Sequence, residues 1–382
     1  MIAVDLMILW ILPSAGMGAS LSKKPWKSPI DTLIEVLDLP GPVKMEGRRP
    51  PLPQYMLNLY NQIADSDGIT RGKNPYGAEI IRSYRLSEEQ NLSAGVVLTF
   101  NISGLKPGEN ILEADLHLFR TKSKKAGRHS RHQHVGQVSL YEVKDPRRLE
   151  DLSSQRLLGS HLISEHAPGW EVFHIKSAIL GGLKGAESRF QFLVVAKDHL
   201  DEPMFVTLAL KHSRQPLIVL YDQEAKHPRL HQNQQHRDLL ENDDSWMSHT
   251  RRRRSTTGAS EKEDPSSLRT HENSAQRQKP QCSKLDMFVD LHQIGLEQII
   301  SPKGYNAYWC DGACDYLISE ELEPTNHARV QSIAHHLGLN EVTPPCCVPS
   351  SLQSITLLFF DENHDVILRQ YEDMVVGNCA CH

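Results

Sequence analysis

The sequence predicts a strand-rich chain of two unlike modules: a cysteine-free N-terminal module of α+β type and a small C-terminal β module held by disulfides. Three observations carry this reading. All seven cysteines lie between Cys282 and Cys381, and the first 281 residues have none. Short alternating or apolar runs, separated by Gly, Pro, Asp and Lys, recur from about residue 95 to 222. A polar segment carrying four consecutive arginines, Arg251 to Arg254, stands between the two modules.

The totals exclude more than they select. At 382 residues there is room for two or three domains, and 39% hydrophobic with 23% charged residues describe an ordinary globular chain. A net charge of −5 gives no reason to expect a nucleic-acid partner. No Ser/His/Asp or paired-carboxylate arrangement stands out, and the 20 histidines are scattered mostly through polar loops, so the chain does not read as an enzyme. No catalytic residue, cofactor or metal is expected.

At the N-terminus, Leu6-Met-Ile-Leu-Trp-Ile-Leu12 is a short apolar run followed by Pro13 and small residues up to Ser20. That layout predicts a signal peptide over residues 1–19, although Asp5 borders the run and no Lys or Arg precedes it. No other stretch approaches the roughly 20 apolar residues of a membrane span, so the expected destination is extracellular.

Residues 29–65 predict amphipathic helices. Ile30, Leu33, Ile34 and Leu37 recur at helical spacing, and Tyr55-Met-Leu-Asn-Leu-Tyr60 resumes the pattern after Pro50, Pro51 and Pro53. An antiparallel β-sandwich is predicted over about 80–222. Its strands are Val96–Phe100, Leu112–Leu118, Val138–Val143, Phe190–Val195 and Leu217–Tyr221. Two glycosylation sequons fall here, at Asn91 and Asn101. Residues 223–250 read as a polar linker. Behind a signal peptide and between two such modules, Arg251, Arg252, Arg253 and Arg254 predict cleavage by a proprotein convertase, whose acidic pockets bind successive arginines of an extended chain. A cut after Arg254 leaves 128 residues, of which 255–281 read as a flexible arm.

The cysteine pattern is C-x27-C-x3-C-x31-C-C-x31-C-x-C. Zinc is the competing reading, but Cys379-x-Cys381 is tighter than usual ligand spacing, and secretion favours disulfides. Six paired cysteines allow fifteen connectivities, so arithmetic selects none. If Cys310 pairs with Cys379 and Cys314 with Cys381, a ring of eight residues closes that a Cys282–Cys347 bridge can thread. Gly312 would then sit where a Cβ has little room. An odd count in a secreted chain points to one intermolecular bridge or one free thiol, and in this scheme Cys346 is the cysteine left unpaired.

This pattern accompanies Ile300-Ser-Pro-Lys-Gly-Tyr-Asn-Ala-Tyr308, Pro324-Thr-Asn-His327, Cys346-Cys-Val-Pro349 and Tyr371-Glu-Asp-Met-Val-Val376. Together these resemble the mature domain of the bone morphogenetic protein branch of the transforming growth factor-β superfamily. Pro53-Gln-Tyr-Met-Leu-Asn-Leu-Tyr60 and Asn101-Ile-Ser-Gly-Leu105 resemble family prodomains. The resemblance implies a prodomain over 20–254 and a cystine-knot growth factor of two β fingers and one helix over 282–382. It implies the pairing above, with Cys346 joining two chains into a homodimer or a dimer with a related ligand subunit. It also implies partners: type I and type II receptor serine/threonine kinases, with SMAD signalling in the target cell, and the chain's own prodomain. The helix has independent support, since Thr325 is a good N-cap and Val330, Ile333, Ala334 and Leu337 form one stripe before Gly338. By the same resemblance, Ser301, Thr356, Leu358 and Leu368 map to the type II receptor surface, and Ile318 to the type I surface. One departure stands out. Ile294-Gly-Leu-Glu-Gln-Ile299 is one residue short of the usual finger and lacks the two tryptophans that wall the type I site. This leaves open a non-signalling antagonist, or an obligate heterodimer subunit, in place of an agonist. A receptor-free matrix protein is the remaining, weaker alternative.

Overall fold

A computed structural model of the protein describes residues 28–36, 50–93, 95–105, 110–121, 135–164, 167–185, 187–198, 207–210, 212–223, 280–314, 318–339 and 341–382. The expected signal peptide, the linker beyond residue 223, Arg251 to Arg254 and the arm up to 279 lie outside the described residues. Helix α1 (Pro29–Val36) forms a unit by itself. Its start is a reciprocal cap: Ser28 Oγ accepts from the Asp31 N–H at 3.0 Å, and Asp31 Oδ2 accepts from the Ser28 N–H at 3.1 Å.

In the second unit, helix α2 (Gln54–Ile63) begins directly after Pro53 and buries Met56, Leu59, Tyr60 and Ile63, one stripe at helical spacing. The sandwich follows as β1 (Ile80–Asn91), β2 (Gly95–Asn101), β3 (Asn110–Thr121), β4 (Val135–Glu142), β5 (Arg156–Ser164), β6 (Gly169–His174), β7 (Arg189–Asp198), β8 (Thr207–Leu208) and β9 (Leu217–Gln223). Strand β1 serves both sheets. Its first half pairs with β9, which pairs with β3 and onward to β6 and β8; its second half pairs with β2, then β7, β4 and β5. The register shift between Leu86 and Glu88 marks the transfer. Between the sheets lies a core that includes Phe100, Leu116, Leu118, Phe173, Phe192 and Ile218. Helix α3 (Lys176–Lys184) adds Ala178 and Ile179 to it.

The C-terminal module opens with short pairs, β10 (Ser283–Leu285) with β14 (Trp309–Asp311) and β11 (Phe288–Asp290) with β13 (Gly304–Asn306). Strand β12 (Ile299–Ser301) pairs with β15 (Cys347–Phe360), which forms a long hairpin with β16 (Val366–Cys381). Helix α4 (Asn326–His336) lies between β14 and β15 in the chain. Thr325 Oγ1 accepts from the Ala328 N–H at 3.1 Å, and Gly338, at φ +65°, closes its C-terminus with Leu339 N–H bonded to Ala334 O.

The second finger does not stand apart from the N-terminal module. Strand β16 pairs with β1 in the register Ile80↔Arg369 to Ser83↔Val366, so the sandwich sheet runs on into the second finger. Leu358, Phe360, Val366 and Leu368 share a core with Met56, Leu59, Tyr60 and Ile63 of α2 and with Ile81, Leu217, Val219 and Tyr221. The fingers obtain from the N-terminal module the apolar contact that a thin hairpin cannot supply alone.

Candidate functional site

The described cysteines form three bridges. Cys282 joins Cys347, Cys310 joins Cys379 and Cys314 joins Cys381, with Cα–Cα separations of 5.4, 5.8 and 5.8 Å. A Cβ on Gly312 would lie 2.5 Å from Gln281 O and 2.6 Å from Cys282 N, and its φ is +128°. Both the backbone angle and the passing chain therefore require glycine there. Cys282, Cys314 and Cys381, whose sulfurs lie together, are all bridged and so are not zinc ligands. Cys346 is free and exposed beside bridged Cys347, its N–H and C=O exchanging hydrogen bonds with His382 at 2.8 and 2.9 Å. Val330 (66% exposed) and Ile333 (46%) of helix α4 and Leu337 (62%) at its C-cap turn their stripe outward.

The four residues expected to form the type II receptor surface come together, but not at solvent. Thr356, Leu358 and Leu368 are each 0% exposed, and Ser301 is half-buried. Their cover is α2 and the loop after it. Thr356 N–H bonds Gly68 O at 2.8 Å, Thr70 N–H bonds Ser354 O at 2.9 Å, and the two threonine hydroxyls, Thr70 and Thr356, meet at 2.9 Å. Gly68, at φ +80°, is the residue that lets this loop pass: a Cβ there would meet Pro302 Cγ at 2.5 Å. Ser301 faces the Tyr60 phenol, whose burial pushes its pKa up to about 12. Ile318 lies elsewhere, half-buried against the knot with Leu322.

Leu296 and Gln298, the positions nearest the absent tryptophans, are both 0% exposed. Leu296 N–H bonds Leu291 O, and Gln298 O accepts from Phe360 N–H at 3.0 Å. An indole placed at either would overpack an interior site instead of walling a surface.

The turn at the tip of the second finger, Asp361 to Asp365, also lies against the N-terminal module. Asn363 Nδ2 donates to Ser103 Oγ at 3.1 Å, Arg85 donates to His364 O at 3.0 Å, and Ser83 Oγ donates to Val366 O at 2.8 Å. Sequence reasoning missed this contact. Its one trace was the Leu-Leu-Phe-Phe360 run, too apolar for a solvated hairpin. Elsewhere, Glu113, Asp115 and His174 bring donor atoms within 4.8 Å of one another, and the 2.7 Å His174–Asp115 hydrogen bond satisfies the buried carboxylate. The sequons end strands: Asn91 closes β1 and Asn101 closes β2, both exposed. No helix among the described residues is long and apolar enough to cross a membrane.

Residues 281–381 match the transforming growth factor beta like domain, and residues 31–221 match the TGF-beta propeptide. Dorsalin-1 of Gallus gallus is 26% identical over 352 residues, covering 86% of this chain and 80% of its own. Bone morphogenetic protein 2 of Tetraodon nigroviridis is 28% identical over 370 residues, with coverage of 86% and 83%. Protein dbl-1 of Caenorhabditis elegans is 28% identical over 335 residues, with coverage of 86% and 80%. A cysteine-free sandwich that leads into a disulfide-knotted pair of fingers, matched across both halves, is a growth-factor precursor with its propeptide, and the chain belongs to the bone morphogenetic protein branch of the transforming growth factor-β superfamily.

Proposed function

We propose that the chain is secreted and is cut by a proprotein convertase after Arg254. It then yields a growth factor of residues 255–382, which dimerises through Cys346 and engages type I and type II receptor serine/threonine kinases to trigger SMAD signalling. One observation carries this reading. The finger face built from Thr356, Leu358 and Leu368 is apolar, contiguous and sealed under the propeptide, the arrangement expected of a binding surface kept covered until release. The outward stripe of α4 and the exposed Cys346 support a second protomer as its cover. Asn91 and Asn101 are the proposed glycan acceptors.

A second reading has its own observation. With Leu296 and Gln298 enclosed and no indole present, the type I contact lacks the aromatic anchors that often dominate interfaces. The dimer would then act as an antagonist or as one half of a heterodimer. Purified, cleaved dimer applied to responsive cells separates the two. SMAD phosphorylation by the dimer alone supports an agonist. Silence, with a known agonist's signal blunted, supports the second reading.

A further inference from the structure

The finger tip gathers an unusual set of charges where propeptide and growth factor meet. From the finger come Asp361 and Asp365, four residues apart in one turn, with His364 between them. From β1 come Arg82, Tyr84 and Arg85, and from β9 comes Asp222. Arg82 is already committed to Asp222 in a buried ion pair at 2.6 Å, with side chains 7% and 0% exposed. Arg85 points a guanidinium N–H at His364 O, and its backbone N–H faces Asp365. Asp361 Oδ1 accepts the N–H groups of Asn363 at 2.9 Å and Asp365 at 2.8 Å, which pulls the turn tight and keeps its two carboxylates together. The Tyr84 hydroxyl is occupied with Ser103 O at 2.8 Å, and His364 Nδ1 is buried without a hydrogen-bond partner. Three carboxylates thus face two guanidiniums, leaving one negative charge in excess where β1 closes over the tip.

We propose that this contact is a proton-operated latch, in which one proton held by the Asp361–Asp365 pair closes the propeptide over the finger and its loss loosens that grip. The inference rests on the reading that the propeptide covers the growth factor's binding face. Burial raises both carboxyls, and the neighbouring Asp361 charge adds to the rise at Asp365, which is pushed up to about 7 despite Arg85. The proton belongs to the coupled pair more than to either residue. The sign follows from the comparison with an exposed turn, where a carboxyl returns to its ordinary range near 3.8. The closed form binds the proton more tightly than the open one, so acid favours closure. Closure weakens as the pH rises through about 7, and below the ordinary carboxylate range both forms are protonated and the dependence ends. One such proton makes the closed form roughly 20-fold more favoured at pH 5.5 than at pH 7.5. A chain leaving an acidic compartment for neutral surroundings would therefore loosen its own cover.

Hydrogen exchange on the uncut full chain tests this without depending on cleavage or receptors. The reading is the protection factor of the Val366 and Leu368 amides, on the β1 side of β16, at pH 5.5, 6.5 and 7.5, after dividing out intrinsic rates. The expected result is about 20-fold greater protection at the acid end. Asp365→Asn, an uncharged isostere, should hold high protection at every pH. His364→Ala should keep the wild-type slope. Equal protection across the range overturns the latch, as does a slope that survives in Asp365→Asn or disappears in His364→Ala. If the β16 amides are unprotected at all three values, the propeptide does not cover the finger, and the functional reading itself fails. The latch in the cleaved complex is read by the dissociation rate of the propeptide over the same range.

Discussion

The sandwich of β1 to β9 and the fingers of β10 to β16 occupy one chain but stand on different supports. The sandwich has no cysteine and closes Phe100, Leu116, Phe173 and Phe192 between two sheets. The fingers hold three bridges among Cys282, Cys310, Cys314, Cys347, Cys379 and Cys381, and the apolar face of their second hairpin is completed by α2 and β1. A small module without room for two packed layers substitutes covalent closure for burial. The arrangement also has a module share its apolar face with a neighbour from which, on the proposed cleavage, it would separate.

The largest test of this contrast is reduction. The bridges span separations of 65 to 69 residues, and loop-entropy reasoning assigns each about 4 kcal/mol, with the mechanism disputed. Treating the released 255–382 dimer with a thiol should abolish its cooperative thermal transition, while the isolated propeptide, having no cysteine, should melt unchanged. Loss of both transitions would mean that the sandwich is not stable by itself. Phe192→Ala is the converse, removing a fully buried ring from the sandwich. It should lower propeptide stability by about 3–5 kcal/mol in urea and leave the knot's transition alone. Met56→Ala sharpens the comparison where the two regions meet. Met56 is 0% exposed on α2 against the finger face, so its truncation should destabilise the uncut chain by about 2–4 kcal/mol. The released dimer, which lacks residue 56, would be untouched, so the uncut chain's loss should appear as faster propeptide dissociation after cleavage.

Much of this architecture was legible, and the reasons are local. Helix α4 announced itself through Thr325 and Gly338, and both cap as the residues require. The runs at 96–100, 112–118, 190–195 and 217–221 fall within β2, β3, β7 and β9, because each is apolar enough to sit in a sheet. Strand β1 was not read, since Ile80 to Asn91 passes from an apolar half to a charged half as it changes sheets. Helix α3 was hidden by Gly181 and Gly182, which weaken any helical signal. The pairing of Ser83 with Val366 joins residues nearly three hundred positions apart, and no periodicity within either segment encodes it. For the same reason Ser301, Thr356, Leu358 and Leu368 are grouped only by the family resemblance, and nothing within their own segments signals their burial.

The register between β1 and β16 has a consequence for what happens after they part. While joined, each completes the other's hydrogen-bond ladder; once parted, both become open sheet edges, ready templates for any extended chain nearby. Arg82 and Arg85 on one side and Arg369 on the other put charge along those borders, a common guard against strand-to-strand sticking. If the propeptide departs as proposed, it would uncover the growth factor's apolar face and, in the same event, leave two aggregation-prone margins in solution. Dilution and charge along the two edges would then matter as much to the yield of soluble protein as the proposed cut itself.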